Sequence, residues 1–401
     1  MLEFDEAQSR LTEAAPVPTR TETVPLVQAV GRVLATDLAA TVDLPPADNS
    51  AMDGYAIRQA DYQPGASMPI QQRCYAGEQP EPLVAGQATR LFTGSLIPQG
   101  ADTVVMQENT RETGGMVEIT EAPQIGQHVR KLGEDVRRGT PLLTAGTLLQ
   151  AAHIALLASQ GLDKIEVYPR LRVGILTTGD ELAVPGQARA AGHVYNSNGP
   201  MLTALAQGLG AQVTQVRHAR DDTADLQAAL RALQADCDLI ISVGGVSVGD
   251  HDLVKPAIES LGGELALWKV RMKPGKPVAM ARLGDKLIVC LPGNPVSAYA
   301  VFTVLVSPMI RRMQGRARIY PPVLRAALRT EKTRQDSREE FIRVQYHPLA
   351  HGHADVAPYS NQSSGAISSL PWCDGLARLP AGIPVHDGDI VSYYDLKHWL
   401  A

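Results

Sequence analysis

Apolar and polar residues alternate along this chain with two different periods, and the points where the period changes divide it into regions. Phe4, Ala7, Leu11 and Ala14 recur at helical spacing over Phe4–Ala15, and Leu26, Ala29, Val33 and Leu34 repeat it over Pro25–Leu38. Two short helices of this kind form a docking layer or a dimer element rather than an independent domain. Period two takes over from Ala56 to Gly146. Its runs at Ile70–Tyr75, Thr89–Thr93, Thr103–Gln107 and Met116–Ile119, separated by Gly/Pro turns, predict a small, mainly β module.

Gln150–Gln160, closed by Gly161, reads as a helix with a glycine C-cap, and Lys164–Tyr168 as a strand. From Leu171 strand and helix patterns alternate. Leu171–Thr177, Gln212–Arg217 and Leu239–Val243 predict strands; Pro200–Leu209 and Ala224–Leu233 predict helices. A period-two run over Glu264–Lys273 follows, then a hairpin of Pro277–Arg282 and Lys286–Cys290 around Gly284-Asp285. A helix from Pro295 ends near Arg316. Val323–Thr330, Phe341–His347, Asp355–Tyr359 and Ile390–Tyr394 predict a last small β domain. The expected fold class is multidomain α/β plus β. A central doubly wound α/β domain with a mostly parallel sheet (171–316) would carry an inserted β module (44–146) and a C-terminal β domain (317–401). Residues 1–43 and 147–170 would form a helical or linker layer, and no solenoid-period repeat is present.

The pattern also says where chemistry belongs. Leu239–Val243 is apolar enough to be a strand buried on both faces, and it stops at Gly244-Gly245, where backbone can turn sharply or approach a ligand. Val246–Gly249 continue as a loop, and Asp250 and Asp252 follow. In open α/β sheets ligands bind at the carboxyl ends of strands, so this loop is a candidate site; a helix cap at Asp250 or Asp252 is the alternative. Asp180 and Glu181 end an earlier strand, and Pro185 weakens a capping role for them. Asp222 or Thr223 caps the next helix, which leaves Asp221 to face the site. Three polar loops punctuate the β module: Asp48–Tyr55, Thr93-Gly94-Ser95 and Arg130–Asp135, with Gly54 permitting an unusual backbone conformation.

Composition narrows the function. The chain has 401 residues, 44% hydrophobic and 20% charged, as in an ordinary soluble protein with a sizeable core. Its net charge of −5 argues against general nucleic-acid or anionic-membrane binding, so an anionic substrate needs a local basic patch. One is present. Strand period over Glu264–Lys273 puts Lys269, Arg271 and Lys273 on one face and Trp268, Val270 and Met272 on the other, with Lys276 in the stiff turn beyond. These cations are either solvated or hold an oxyanion. In Leu291-Pro292-Gly293-Asn294-Pro295, Asn294 falls at a helix N-cap and Pro295 at N1, a ready anion site. Cys74, Cys237, Cys290 and Cys373 are scattered without a CxxC, which suggests neither a disulfide framework nor a zinc site. His351-Gly-His353 has no third ligand nearby and is discounted. The N-terminus lacks a signal-peptide pattern, and Ser297–Ile310 is too short to span a bilayer, so a cytoplasmic location is expected.

Seven ordered motifs carry a resemblance. Asn49-Ser-Ala-Met-Asp-Gly-Tyr-Ala56, Thr93-Gly94 with Pro98-x-Gly-Ala-Asp102, and Arg130-x-x-Gly-Glu-Asp135 lie in the first half. Thr178-Gly-Asp-Glu-Leu182, Gly244-Gly-Val-Ser-Val-Gly-Asp250, Lys273-Pro-Gly-Lys-Pro277 and Leu291-Pro-Gly-Asn-Pro-Val296 lie in the second. Together they resemble the molybdopterin molybdenumtransferase (MoeA) family, to which the gephyrin E domain is related. The resemblance spans essentially the whole chain. It implies insertion of molybdate into adenylated molybdopterin with Mg²⁺-dependent release of AMP, giving molybdenum cofactor. On that reading Glu181, Asp221 and Asp252, with Asp180 and Asp250 beside them, are hard oxygen ligands for Mg²⁺. Asp53, Thr93 and Asp135 complete the catalytic set by resemblance. Substrate contacts would come from Gly244, Gly245, Ser247, Gly249, Asp250, Lys269, Lys273, Lys276, Pro292, Gly293 and Asn294, with Arg343 and Ser363 from the last domain. The resemblance also implies a homodimer whose site is shared between subunits, with contacts to a pterin adenylyltransferase and to molybdoenzyme chaperones. Two alternatives are a pterin adenylyltransferase, which leaves the first 165 and last 85 residues unexplained, and a non-catalytic gephyrin-like scaffold. Scaffolds of that kind carry a further domain and linker ahead of this unit, whereas this chain starts at Met1-Leu2-Glu3.

Overall fold

A computed structural model describes residues 1–245, 253–348 and 354–401, with backbone alone at 266–268. The chain forms two compact units, one of residues 1–36, 145–154 and 163–401, the other of residues 37–144 and 155–162.

The larger unit is built on a six-stranded sheet of β1 (Arg172–Thr178), β2 (Gln212–Ala219), β3 (Leu239–Val243), β4 (Glu264–Trp268), β5 (Ala279–Leu283) and β6 (Lys286–Leu291), in the order β2-β1-β3-β6-β5-β4. Four strands, β2, β1, β3 and β6, are mutually parallel; β5 is antiparallel to both its neighbours. Both faces of the sheet are covered, as continuous apolar strands require. On one face Val173, Ile175, Leu239 and Ile241 pack with α1 (Phe4–Ala14), α2 (Asn198–Gly208) and the long helical run from Pro295 to Met313. On the other, Leu176, Ile240 and Ile288 pack with α3 (Thr223–Asp236) and α4 (Val254–Ser260). The fold class is therefore the expected doubly wound α/β domain. Asp222 caps α3, accepting from the N–H groups of Ala224 and Asp225, and Gly284 (φ +61°) makes the two-residue turn between β5 and β6. The Pro295–Met313 run contains a π-turn at Phe302–Val306, and the Gln8 side chain donates to the Val304 carbonyl there at 2.6 Å. No described helix is long and apolar enough to cross a membrane.

The same unit holds a second six-stranded sheet near the C-terminus. Glu339–Pro348 pairs with both Ala354–Pro358 and Gly375–Leu379, which closes the sheet into a small barrel. The Gly375–Leu379 strand is absent from the sequence-level pattern. In the smaller unit, Gly54–Ile57 pairs with both Ala88–Leu91 and Thr103–Met106 inside a third six-stranded sheet.

Two expectations fail. Pro25–Leu38 is not a helix: Glu22–Pro25 is a strand paired with Lys164–Val167, Leu26–Gln28 is one 3₁₀ turn, and Val33 and Leu34 bridge to Leu148 and Val167. Partners more than a hundred residues away override a weak local period. Nor is Glu264–Lys273 one strand. β4 ends at Trp268, Lys269 takes φ +67°, the next residues pair with Leu2, and Met272–Lys273 joins the C-terminal sheet beside Glu339–Glu340. The expected alternation of exposure survives the break, since Val270 and Met272 are buried and Lys269, Arg271 and Lys273 are half-buried. The Trp268 side chain lies outside the described residues.

Candidate active site

β1 and β3 are neighbours, but the chain leaves them in opposite directions across the sheet, toward β2 and β6. This is a topological switch point, where the loops at the carboxyl ends part to leave a crevice. Thr178-Gly179-Asp180-Glu181 leaves β1 and Gly244-Gly245 leaves β3, so both motifs meet here. Gly244 has φ +97°, and a Cβ on it would stand 2.7 Å from the Thr178 carbonyl oxygen. Only glycine tolerates both the backbone conformation and the contact. Gly293 lies alongside, its own Cβ position 3.7 Å from the Gly244 Cα. Asn198, at the start of α2, donates to the Gly293 carbonyl at 2.7 Å and ties that turn to the glycine floor.

The rim is acidic. The Asp180 N–H donates to the Asp221 carboxylate at 3.4 Å, and the Asp221 N–H donates to the Asp180 carboxylate at 3.2 Å. This exchange holds two exposed carboxylates side by side, and neither forms an ion pair among the described residues. Glu181 is exposed on the same loop. Its backbone carbonyl accepts from Val194, which fixes the loop while leaving the side chain at the rim. Among the described residues no three His, Cys, Asp or Glu side chains gather as a metal cage. Two carboxylates and open space fit Mg²⁺, which keeps several waters and commonly takes only one or two protein carboxylates. Ser247, Gly249, Asp250, Asp252, His351 and His353 lie outside the described residues.

Polar groups lie beneath the floor. The Thr178 hydroxyl, the Ser242 hydroxyl and the Asn198 carbonyl oxygen are buried without a hydrogen-bond partner among the described residues. Behind them Asn196 donates to the Thr177 hydroxyl at 2.9 Å and accepts from the Gly199 N–H at 3.0 Å. Sequence reasoning missed Asn196 and Asn198 as shapers of the crevice. The only signal was a polar Asn-Ser-Asn-Gly stretch opening a helix.

Asn294 sits at the N-cap position, but its side chain does not cap the helix. It donates instead to the Ser364 hydroxyl at 3.1 Å, bringing the Asn361–Gly365 loop to the edge of the crevice. Pro292 is buried beneath this turn. Arg343 is buried and does not face the crevice: its guanidinium donates to the Ser369 hydroxyl and to the carbonyls of Asn361, Gln362 and Ser363. It shapes the loop that presents Ser363. Burial lowers its pKa from the usual arginine value.

The basic segment is divided. Lys273 reaches Asp336 at 2.9 Å and the buried Glu340 at 3.2 Å, and the Asp336 hydrogen bond helps raise its pKa. Arg271 is held by Glu3 at 3.0 Å and by the Ser337 carbonyl. Lys269 and Lys276 make no ion pair among the described residues.

The three polar loops of the smaller unit form one surface. Ser50 donates to the Ser95 carbonyl and Gly94 to the Ser50 carbonyl, while Asn49-Ser50 pairs with Val129-Arg130. The Asp53 carboxylate accepts from both the Thr93 N–H and its hydroxyl at 2.8 Å, and those bonds hold it below the usual carboxylate range. Asp48 accepts from Lys131 and from the Leu132 N–H, both at 2.8 Å, and the Lys131 contact likewise lowers its pKa. Asp135 is exposed on the third loop. Gly54 is required for close approach rather than for an unusual φ, because a Cβ there would collide with the Val105 carbonyl.

A doubly wound domain with a glycine-floored, carboxylate-rimmed crevice at its switch point belongs to the class of α/β ligand-binding domains, here flanked by β structure on both sides in sequence. Residues 2–161 match the MoeA N-terminal region (domain I and II), 174–312 the "Probable molybdopterin binding domain", and 325–396 the MoeA C-terminal region (domain IV). A molybdopterin molybdenumtransferase of Haemophilus influenzae is 36% identical over 92% of each chain, and one of Nostoc is 38% identical over 90% of this chain and 85% of the other. The crystal structure of a molybdopterin biosynthesis MoeA protein from Pyrococcus horikoshii superposes with a TM-score of 0.83 at 28% identity, covering 100% of both chains. The chain belongs to the molybdopterin molybdenumtransferase family, whose members are transferases of molybdenum cofactor biosynthesis.

Proposed function

We propose that this protein inserts molybdate into adenylated molybdopterin, with Mg²⁺-dependent loss of AMP as the phosphoanhydride breaks. The observation that carries the reading is the Asp180–Asp221 carboxylate pair at the switch point, beside a floor that admits only glycine. Asp180, Asp221 and Glu181, with Asp252, would hold Mg²⁺. When bound, the ion would polarise the phosphoanhydride and stabilise the leaving phosphate. Gly244, Gly245, Gly293 and Asn294 let the substrate's phosphates come close to the protein backbone, together with Ser247, Gly249 and Asp250. Lys269 and Lys276 supply charge to the oxyanion, with Lys273 contributing beside its carboxylate partners; Pro292, Ser363 and the Arg343-braced loop shape the edge. The assay is AMP release from adenylated molybdopterin, with and without Mg²⁺ and with molybdate or tungstate. No release under any of these conditions rejects the reading.

Asp53, Thr93 and Asp135 belong to the smaller unit and Asp221 and Asp252 to the larger. We propose that they complete one site across a homodimer, each subunit lending its smaller unit to its partner. Mixing inactive Asp53→Asn and Asp252→Asn chains under subunit exchange tests this. Random pairing gives about half heterodimers, each with one intact site, so activity returns to roughly a quarter of wild type. Silence in a mixture shown by mass to contain heterodimers excludes the shared site. The proposed setting is the cytoplasm, with substrate received from a pterin adenylyltransferase and product passed to molybdoenzyme chaperones.

A further inference from the structure

The smaller unit carries an aromatic stack that nothing in the chemistry above uses. Tyr75 lies on Phe92 with ring centroids 4.5 Å apart and planes 5° from parallel. The Arg90 guanidinium sits 4.9 Å from the Phe92 ring centre and 5.0 Å from that of Tyr55. Arg90 is 8% exposed, and its described hydrogen bonds go to neutral acceptors, the Gly54 carbonyl at 3.1 Å and the Gln107 side chain at 2.6 Å. A buried cation thus backs the stack, and Tyr75, 52% exposed, forms its solvent-facing end.

The stack adjoins the Asp53 loop through covalent and packing links. Phe92 precedes Thr93, whose N–H and hydroxyl bind Asp53. Gly94 (φ +87°) turns the chain so that its Cβ position falls 3.7 Å from the Ala76 methyl, the neighbour of Tyr75. An exposed tyrosine pre-stacked on a second ring loses little side-chain freedom when a third ring is added. Flat heteroaromatic bases bind such platforms through their π-faces, without needing a matched set of hydrogen bonds.

We infer that the open face of Tyr75 is a stacking platform for the adenine ring of the adenylated substrate and of the AMP it releases, an inference that rests on the function proposed above. Adenine is assigned because a base held by its π-face alone needs no matched hydrogen bonds, and the ring stack beside the Asp53 loop offers such a face.

AMP affinity of the full-length chain, measured by calorimetry, is the test, with ribose 5-phosphate as the base-free probe. Tyr75→Leu should weaken AMP binding about 5- to 150-fold, the usual worth of one base–aromatic stack, whereas Tyr75→Phe should retain it. Ribose 5-phosphate should bind wild type and both variants alike. In turnover, Tyr75→Leu should raise KM for adenylated molybdopterin with little change in kcat. Equal AMP affinity in wild type and Tyr75→Leu overturns the platform, as does an equal loss for ribose 5-phosphate or a lack of saturable AMP binding by wild type. If wild type binds AMP through Tyr75 yet releases none from adenylated molybdopterin, the proposed function fails and the platform stands.

Discussion

The acidic loops at the end of the sheet and the basic segment that follows β4 look alike in sequence, each a short run of like charges beside glycine or proline. Their structures differ. Asp180 and Asp221 each donate a backbone N–H to the other's carboxylate, and neither carboxylate forms an ion pair among the described residues. Half of the basic segment is answered internally: Lys273 by Asp336 and Glu340, Arg271 by Glu3 and Ser337. Uncompensated like charges held together by the backbone await a ligand, whereas paired charges hold elements together. The basic segment also connects three parts of its unit, β4, Leu2 and the C-terminal sheet, a task that has nothing to do with oxyanions.

The largest expected effect falls on the acidic side. Asp221→Asn keeps size and loses charge, so metal affinity should drop about 10- to 150-fold, with little change in melting temperature. An unchanged Mg²⁺ dependence would make Asp221 part of the loop frame only. Gly244→Ala should destabilise by about 1–3 kcal/mol, since it forces a side chain into a left-handed backbone against Thr178. Chemical denaturation reads it, and a neutral result would contradict the glycine floor.

On the basic side, Lys273→Ala should cost about 1–2 kcal/mol, between the values for exposed and buried pairs because the lysine is partly exposed. Lys276→Ala should stay within about 0.5 kcal/mol of wild type yet raise the molybdate concentration needed for turnover. If the two variants behave alike in both assays, the division of the segment is wrong. The folded-state pKa of Lys273 is raised, so its contribution is complete below its ordinary value of 10.5 and disappears as pH rises through the raised one. The wild-type advantage over Lys273→Ala should therefore shrink in strong alkali, and also in strong acid as Asp336, whose folded pKa is lowered, takes up its proton. A smaller effect of opposite sign belongs to Asp48 and Asp53. Their folded pKa values lie below 3.8, so the stability they lend is present above that value and lost as pH falls past it. Asp53→Asn should flatten the acid limb of the protein's stability–pH profile, and an unaltered limb would remove Asp53 from that role.

Strand and cap signals were legible where the reason was local. The apolar Leu239–Val243 run, the Asp222 cap and the Gly284 turn each need only their own neighbours. Features settled by distant partners were not. Leu26, Ala29 and Val33 keep a helical spacing, yet Val33 bridges to Leu148. Asn294 has every mark of an N-cap and instead bonds Ser364, seventy residues on. In the site, the sequence pointed to the acidic and glycine motifs because their residue types carry the chemistry themselves. It was silent on Asn198 and on the loop that Arg343 braces, which depends on which carbonyls its buried guanidinium meets.

The central claim is that the paired carboxylates at the switch point hold the metal that drives AMP release. A Mg²⁺ titration of AMP release, run on wild type, Asp180→Asn and Asp221→Asn, tests it most directly. Both variants should need about 10- to 150-fold more Mg²⁺ for half-maximal release. Titration curves that coincide with wild type would place the metal, and the chemistry, elsewhere.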